Sequence, residues 1–171
     1  MYDIVNLTQD IYTGAPRFPG HPPTEIEFIA THEDARNAPI KPKDITYAAM
    51  MLHMCDHGPT HVDAVSHIDE RDTAPTIDKS SLGKFITRGI AIDFTGKVGP
   101  REEISLKLLQ DELSSQSLTP PNAGTFLFTG GHFKRTYPED SYNTEYPGLS
   151  YDAGNFLYRE CGIVNIGQDA P

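Results

Sequence analysis

The run Gly124-Thr125-Phe126-Leu127-Phe128-Thr129 decides the fold class together with two later segments, Ser150 to Cys161 and Ile163-Val164-Asn165-Ile166-Gly167. The first and last are short, apolar and rich in branched or aromatic residues, as buried strands are. Between them, beyond a long Gly/Pro/Tyr-rich loop, Ser150 can cap a helix with an apolar stripe of Ala153, Phe156, Leu157 and Cys161, and Gly162 stops it. Strand, helix and strand in that order predict a right-handed βαβ crossover with parallel strands. Working outward, Ile86 to Phe94 reads as another strand, and Ser105 caps a helix to about Ser114 on which Leu106, Leu109 and Leu113 share one side. Three strands are expected nearer the start: Tyr2 to Leu7, Thr24 to Ala30 and Ile45 to Met54. Stiff loops punctuate them, at Gly14-Ala15-Pro16 and Pro19-Gly20-His21-Pro22-Pro23, and a polar, proline-broken connection separates the last two. The pattern is that of an α/β domain.

Composition narrows the function. The chain has 171 residues, 14 Lys plus Arg against 24 Asp plus Glu, and a formal net charge of −10. A chain this long buries roughly 70% of its unfolded surface, so it needs no metal or disulfide to hold a core, and a metal would point to chemistry. The acidic balance, with a pI near 5.0, argues against nucleic-acid and anionic-membrane partners, which require a basic face. Mean hydropathy is −0.43, no run of 18 apolar residues occurs, and Met1-Tyr2-Asp3 does not start a signal peptide, so a cytoplasmic location is expected. Cys55 and Cys161 are too few for a disulfide framework and read as free thiols.

Four of the seven histidines fall between Leu52 and His67. His57, His61, Asp63 and His67 would share one face of an extended segment, yet a straight strand sets His57 and Asp63 roughly 20 Å apart, while ligands of one ion lie about 2 Å from it. The segment must therefore bend, and Gly58-Pro59 is the place for it, giving strand, turn, strand. A helix would also align His57 with His61, but Pro59 inside it removes a donor and clashes with the preceding turn. Two imidazoles and a carboxylate suit Zn²⁺, Mn²⁺ or Fe²⁺, and three protein ligands leave a position open for water or substrate. On zinc such a water approaches a pKa near 7, and His67 is then placed to move its proton. Histidines in a Gly/Pro-rich segment can instead be solvent-exposed or hydrogen-bonded to backbone; three of them with an aspartate at this spacing favour a metal. His53 and Cys55 fit core positions on the preceding strand better than ligand positions.

His57-Gly58-Pro59-Thr60-His61-Val62-Asp63-Ala64-Val65-Ser66-His67 resembles the signature H-x-G-T-H-x-D-x-P-x-H of the metal-dependent cyclase family, which includes kynurenine formamidase, isatin hydrolase and a dienelactone hydrolase. Asp3-Ile4-Val5-Asn6-Leu7-Thr8 and Phe18-Pro19-Gly20-His21-Pro22 look like its opening strand and proline-rich substrate loop. Ile92-Asp93-Phe94, Thr129-Gly130-Gly131-His132 and Gly167-Gln168-Asp169 look like later family segments. The resemblance implies a mixed-sheet β/β/α swivelling fold and a divalent Zn or Mn on His57, His61 and Asp63. It further implies His67 as catalytic acid/base, Phe18 and His132 as pocket lining, and a homodimer or homotetramer. The activity it implies is hydrolysis of a small amide, lactam or lactone, as by an arylformamidase. Pro59 and Val65 depart from the family's usual glycine and proline without removing a ligand. One domain over residues 1–171 is expected, without the family's downstream segment that brings a second His and Glu. One metal, lost activity or a partial sequence would each account for that.

The competing reading from another class is a non-catalytic metal-binding or oligomerising protein that keeps the first half of the site. Other motifs are weaker. Gly148-Leu149-Ser150-Tyr151-Asp152 lacks the last glycine of a nucleophile elbow, and Ser150 is better used as a cap. Glu102-Glu103 and Asp111-Glu112 read as solvated surface, and Tyr137, Tyr142, Tyr146 and Tyr151 as the flank of a pocket or a subunit contact.

Overall fold

Parallel strands organise the longer of the two units into which the chain divides, Met1–Val62 and Asp63–Pro171. The computed structural model describes residues 3–39 and 45–171. In the first unit β1 (Glu25–Ala30) is followed by α1 (His32–Asn37) and β2 (Ala49–His53). The two strands pair antiparallel, with Phe28 opposite Met50 and a register shift between Phe28 and Ala30. The short helix interrupts what the sequence suggested was only a polar connection. Its cause is local: Thr31 Oγ1 accepts from the Asp34 N–H at 3.2 Å while the Thr31 N–H donates to Asp34 Oδ2 at 2.7 Å, a reciprocal cap.

Two expected strands of this unit change. Of Tyr2 to Leu7, Tyr2 lies outside the described residues and residues 3–7 carry no regular structure, with Ile4 almost fully exposed. Alternation alone does not make a strand when no neighbour takes its N–H and C=O groups. Ile45 to Met54 shortens to Ala49–His53 because β1 offers no longer partner. His53 faces solvent opposite Glu25 and is not a core residue.

The second unit runs β3 (Gly89–Asp93), β4 (Glu103–Ile104), α2 (Leu106–Ser115), β5 (Thr125–Thr129), α3 (His132–Thr136), β6 (Gly148–Leu149), α4 (Tyr151–Asn155) and β7 (Asn165–Gln168). Its main sheet is wholly parallel in the order β3-β5-β7, with Ile92 opposite Phe128 and Leu127 opposite Gly167; β4 and β6 form a small parallel pair. The strands β5 and β7 are therefore parallel neighbours with α4 between them in sequence, as the expected crossover requires, and the fold is mixed α/β. Ser105 and Ser150 cap α2 and α4, each accepting an N–H at 3.2 Å, which leaves Ser150 with a structural task. After Asn155 the last helix widens into a π-turn, Phe156–Glu160, and stops at Gly162. That glycine has φ +70°, and a Cβ there would lie 2.1 Å from Asn122 Oδ1.

Ile92, Phe94, Ile104, Leu109, Phe126 and Leu157 are fully enclosed and form the centre of the core. Glu112, read as surface, is buried on α2 instead, where Lys97 Nζ reaches its Oε2 at 2.5 Å. The charge is tolerated there because it is paired. Cys55 and Cys161 are free thiols, and burial raises the pKa of Cys161. Among the described residues no helix is long and apolar enough to cross a membrane.

Candidate metal centre

Past His53 the chain leaves the sheet, and residues 58–64 form bends and irregular structure instead of the second strand expected after the turn. Pro59 lacks a ladder donor, so a strand through it is disfavoured. A 3₁₀ turn, Val65–His67, follows. Within the seven residues 57–63, His57, His61 and Asp63 each offer one ligand atom, and all of these atoms lie within 4.8 Å of one another.

The donor set can be tested against an ion. An imidazole on zinc has its ring centre about 3.2 Å from the metal, so two at a tetrahedral angle have centres about 5.2 Å apart. The rings of His57 and His61 are 5.1 Å apart and nearly perpendicular, at 77°. His61 Nδ1 lies 2.8 Å from the Pro59 carbonyl oxygen. That oxygen only accepts, so Nδ1 carries the proton and Nε2 holds the lone pair a metal needs. Two imidazoles and one carboxylate in this spacing fit a divalent cation.

The surroundings of the group are polar and open. Asp56 Oδ1 sits 3.9 Å from His57 Nε2 and accepts from the Cys55 thiol at 3.5 Å. The thiol contact, then the charge of His57, hold its carboxyl below the ordinary range. Thr60 Oγ1 accepts the Gln9 N–H at 2.8 Å, tying the N-terminal segment to the loop. His67, the expected proton carrier, is exposed on its 3₁₀ turn and is not one of the three grouped residues.

Phe18 approaches through an intermediary. Pro19 and Gly20 occupy the centre of a turn closed by the His21 N–H on the Phe18 carbonyl at 3.0 Å, with Gly20 at φ +94°, the requirement of a type II turn. The Phe18 and His21 rings are 5.5 Å apart, and the His21 ring is 6.2 Å from that of His57. In the sequence His21 falls within the proline-rich substrate loop without a role of its own. The signal was available, since Pro-Gly between Phe18 and His21 predicts a turn that fixes both.

His132 is fully buried at the start of α3. Its Nε2 lies 2.7 Å from the Tyr142 carbonyl oxygen, and its ring stacks on Tyr142 and meets Tyr146 edge-on. Tyr137 stacks on Phe133 and meets Tyr142 edge-on, so three of the four loop tyrosines are used inside the unit, and burial raises the pKa of Tyr142. The helix start is held by Asp169 Oδ2, which accepts from Thr129 Oγ1 at 2.7 Å and from the Phe133 N–H at 3.0 Å. These contacts join Thr129 and Asp169 at the start of α3.

Fold and loop define an α/β protein that presents a His/His/Asp group after an antiparallel hairpin. A family model described as "Putative cyclase" matches residues 5–171, and the chain belongs to this cyclase family. Isatin hydrolase A from Ralstonia solanacearum superposes with a TM-score of 0.80 at 19% identity, over 97% of this chain and 66% of that one. Isatin hydrolase A from Labrenzia aggregata bound to benzyl benzoate gives 0.73 at 19%, over 98% and 65%. An isatin hydrolase bound to the product analogue thioisatinate gives 0.73 at 18%, over 92% and 62%. At these identities the likeness is one of fold, and the chain spans about two thirds of the length of those proteins. Among curated protein sequences none matches it.

Proposed function

We propose that this chain is a metal-dependent hydrolase of a small amide, lactam or lactone. The observation that carries the reading is the meeting of His57, His61 and Asp63 within 4.8 Å. Support for hydrolysis comes from the structural neighbours named isatin hydrolases. His57, His61 and Asp63 hold one divalent ion, zinc or manganese; when bound, such an ion polarises a carbonyl oxygen and acidifies water toward neutral pH. His67 takes the proton from the attacking water and returns it to the leaving nitrogen or oxygen. Phe18 offers an apolar surface to the substrate. The working form is a cytoplasmic homodimer or homotetramer acting on small molecules.

Metal analysis joined to kinetics tests this. The wild type should hold about one equivalent of zinc or manganese, and His61→Ala should release it. His67→Ala should keep the metal and lose hydrolysis roughly 10²- to 10⁴-fold. Metal retained without turnover of any formamide, isatin or lactone would leave a non-catalytic binding protein in its place.

A further inference from the structure

We infer that His21 is a third imidazole donor to the cation held by His57, His61 and Asp63. The inference rests on the metal reading above and extends it to a residue outside the H-x-G-T-H-x-D motif.

Two imidazoles on one ion have ring centres no more than about 6.4 Å apart, the limit reached when they are opposite each other. His21 and His57, at 6.2 Å, are inside that limit, and His57 and His61 sit at the tetrahedral value. A shift of roughly 1 Å would bring the His21 ring from its present distance to the tetrahedral one.

The backbone is where this loop is fixed. The turn through Pro19 and Gly20 is closed by the His21 N–H, and Pro22 follows directly. Phe18 lies against one side of the imidazole, which restricts its tilt. The proline-flanked turn thus holds an imidazole 6.2 Å from a ligand histidine. Three imidazoles and one carboxylate form a nitrogen-rich set that suits zinc better than the harder manganese, and an ion of five coordination still has a place for substrate.

X-ray absorption of the zinc-loaded full chain tests this without any substitution. Three imidazoles on the metal are expected, and two would overturn the assignment while leaving the His57, His61 and Asp63 site standing. His21→Phe keeps an aromatic ring between Phe18 and His57 but has no donor. It should weaken zinc at least 100-fold in competition with a chromophoric chelator and change the visible spectrum of the cobalt form. Affinity within threefold of wild type with an unchanged cobalt spectrum would also overturn it. Circular dichroism checks that the variant folds; if it does not, the wild-type absorption spectrum decides alone. A wild type that takes up no zinc sinks the metal reading and this inference together.

Discussion

The two units of the chain bury very different amounts of apolar surface. In Asp63–Pro171 the parallel sheet and its helices enclose Phe94, Phe126, Ile104 and Leu157 completely. Among the described residues of Met1–Val62, only Ala15, Thr24 and Ala35 are buried, while Phe28, Met50 and Leu52 on the hairpin are each at least half exposed. A two-stranded hairpin without a covering layer is marginal in water. The contrast separates two ways of fixing a backbone. The second unit does so by core packing; the first relies on prolines, turns and single hydrogen bonds, and it carries both histidines of the candidate centre.

The sharpest way to break that contrast is a matched pair of truncations. Phe126→Ala removes a fully enclosed ring and should cost about 3–5 kcal/mol. Phe28→Ala removes a ring that is 59% exposed and should stay within about 1 kcal/mol of wild type. Urea midpoints at unchanged slope would report both. Equal losses would mean that the hairpin is stabilised as the core is.

The same logic applies to histidines. His132→Ala loses a buried ring and the hydrogen bond to the Tyr142 carbonyl, for about 2–4 kcal/mol. His61→Ala, at an exposed site, should cost under about 1 kcal/mol in metal-free protein. If His132→Ala leaves the urea midpoint untouched, its role is not that of a packed interior residue.

What the sequence disclosed follows the same division. The crossover, both serine caps, the Gly162 stop and the parallel strands were legible because core packing writes a periodic apolar signal. The metal-type group was legible too, since Gly58-Pro59 forces a bend that brings His61 and Asp63 to His57. The opening strand was read wrongly because alternation in Asp3 to Leu7 says nothing about whether a partner strand is present. Glu112 was read as surface because its partner Lys97 precedes it by a loop and a strand, outside any helical spacing. The nearness of His21 to His57 was not legible, because the two are 36 positions apart in sequence with a hairpin between them.

Caps offer a smaller test, since one chemistry is used in both units. Ser150→Ala deletes the acceptor of the Ala153 N–H and should lower global stability by about 1 kcal/mol. Thr31→Ala deletes the equivalent acceptor in a six-residue helix of the first unit. There the loss should show as faster amide exchange in α1 and not as a shifted midpoint. Identical shifts from both would make the two units a single cooperative structure.

The smallest expected effect lies in acid. Lys97 at 2.5 Å, the largest cause, and then Gln116 draw the Glu112 pKa below its ordinary 4.5, against the opposing cost of burial. A carboxyl with a lowered folded pKa stabilises the protein above its unfolded value, because the unfolded chain binds its proton first as pH falls. That contribution is complete above about pH 4.5 and disappears as pH drops through the lower, folded value. Glu112→Gln should therefore flatten the fall of stability below pH 4.5, and Lys97→Met should do so in part by restoring the ordinary pKa. Stability curves from pH 3 to 7 would show it. A Glu112→Gln curve parallel to wild type through that window would mean that the second unit gains nothing from the pairing of Glu112 with Lys97.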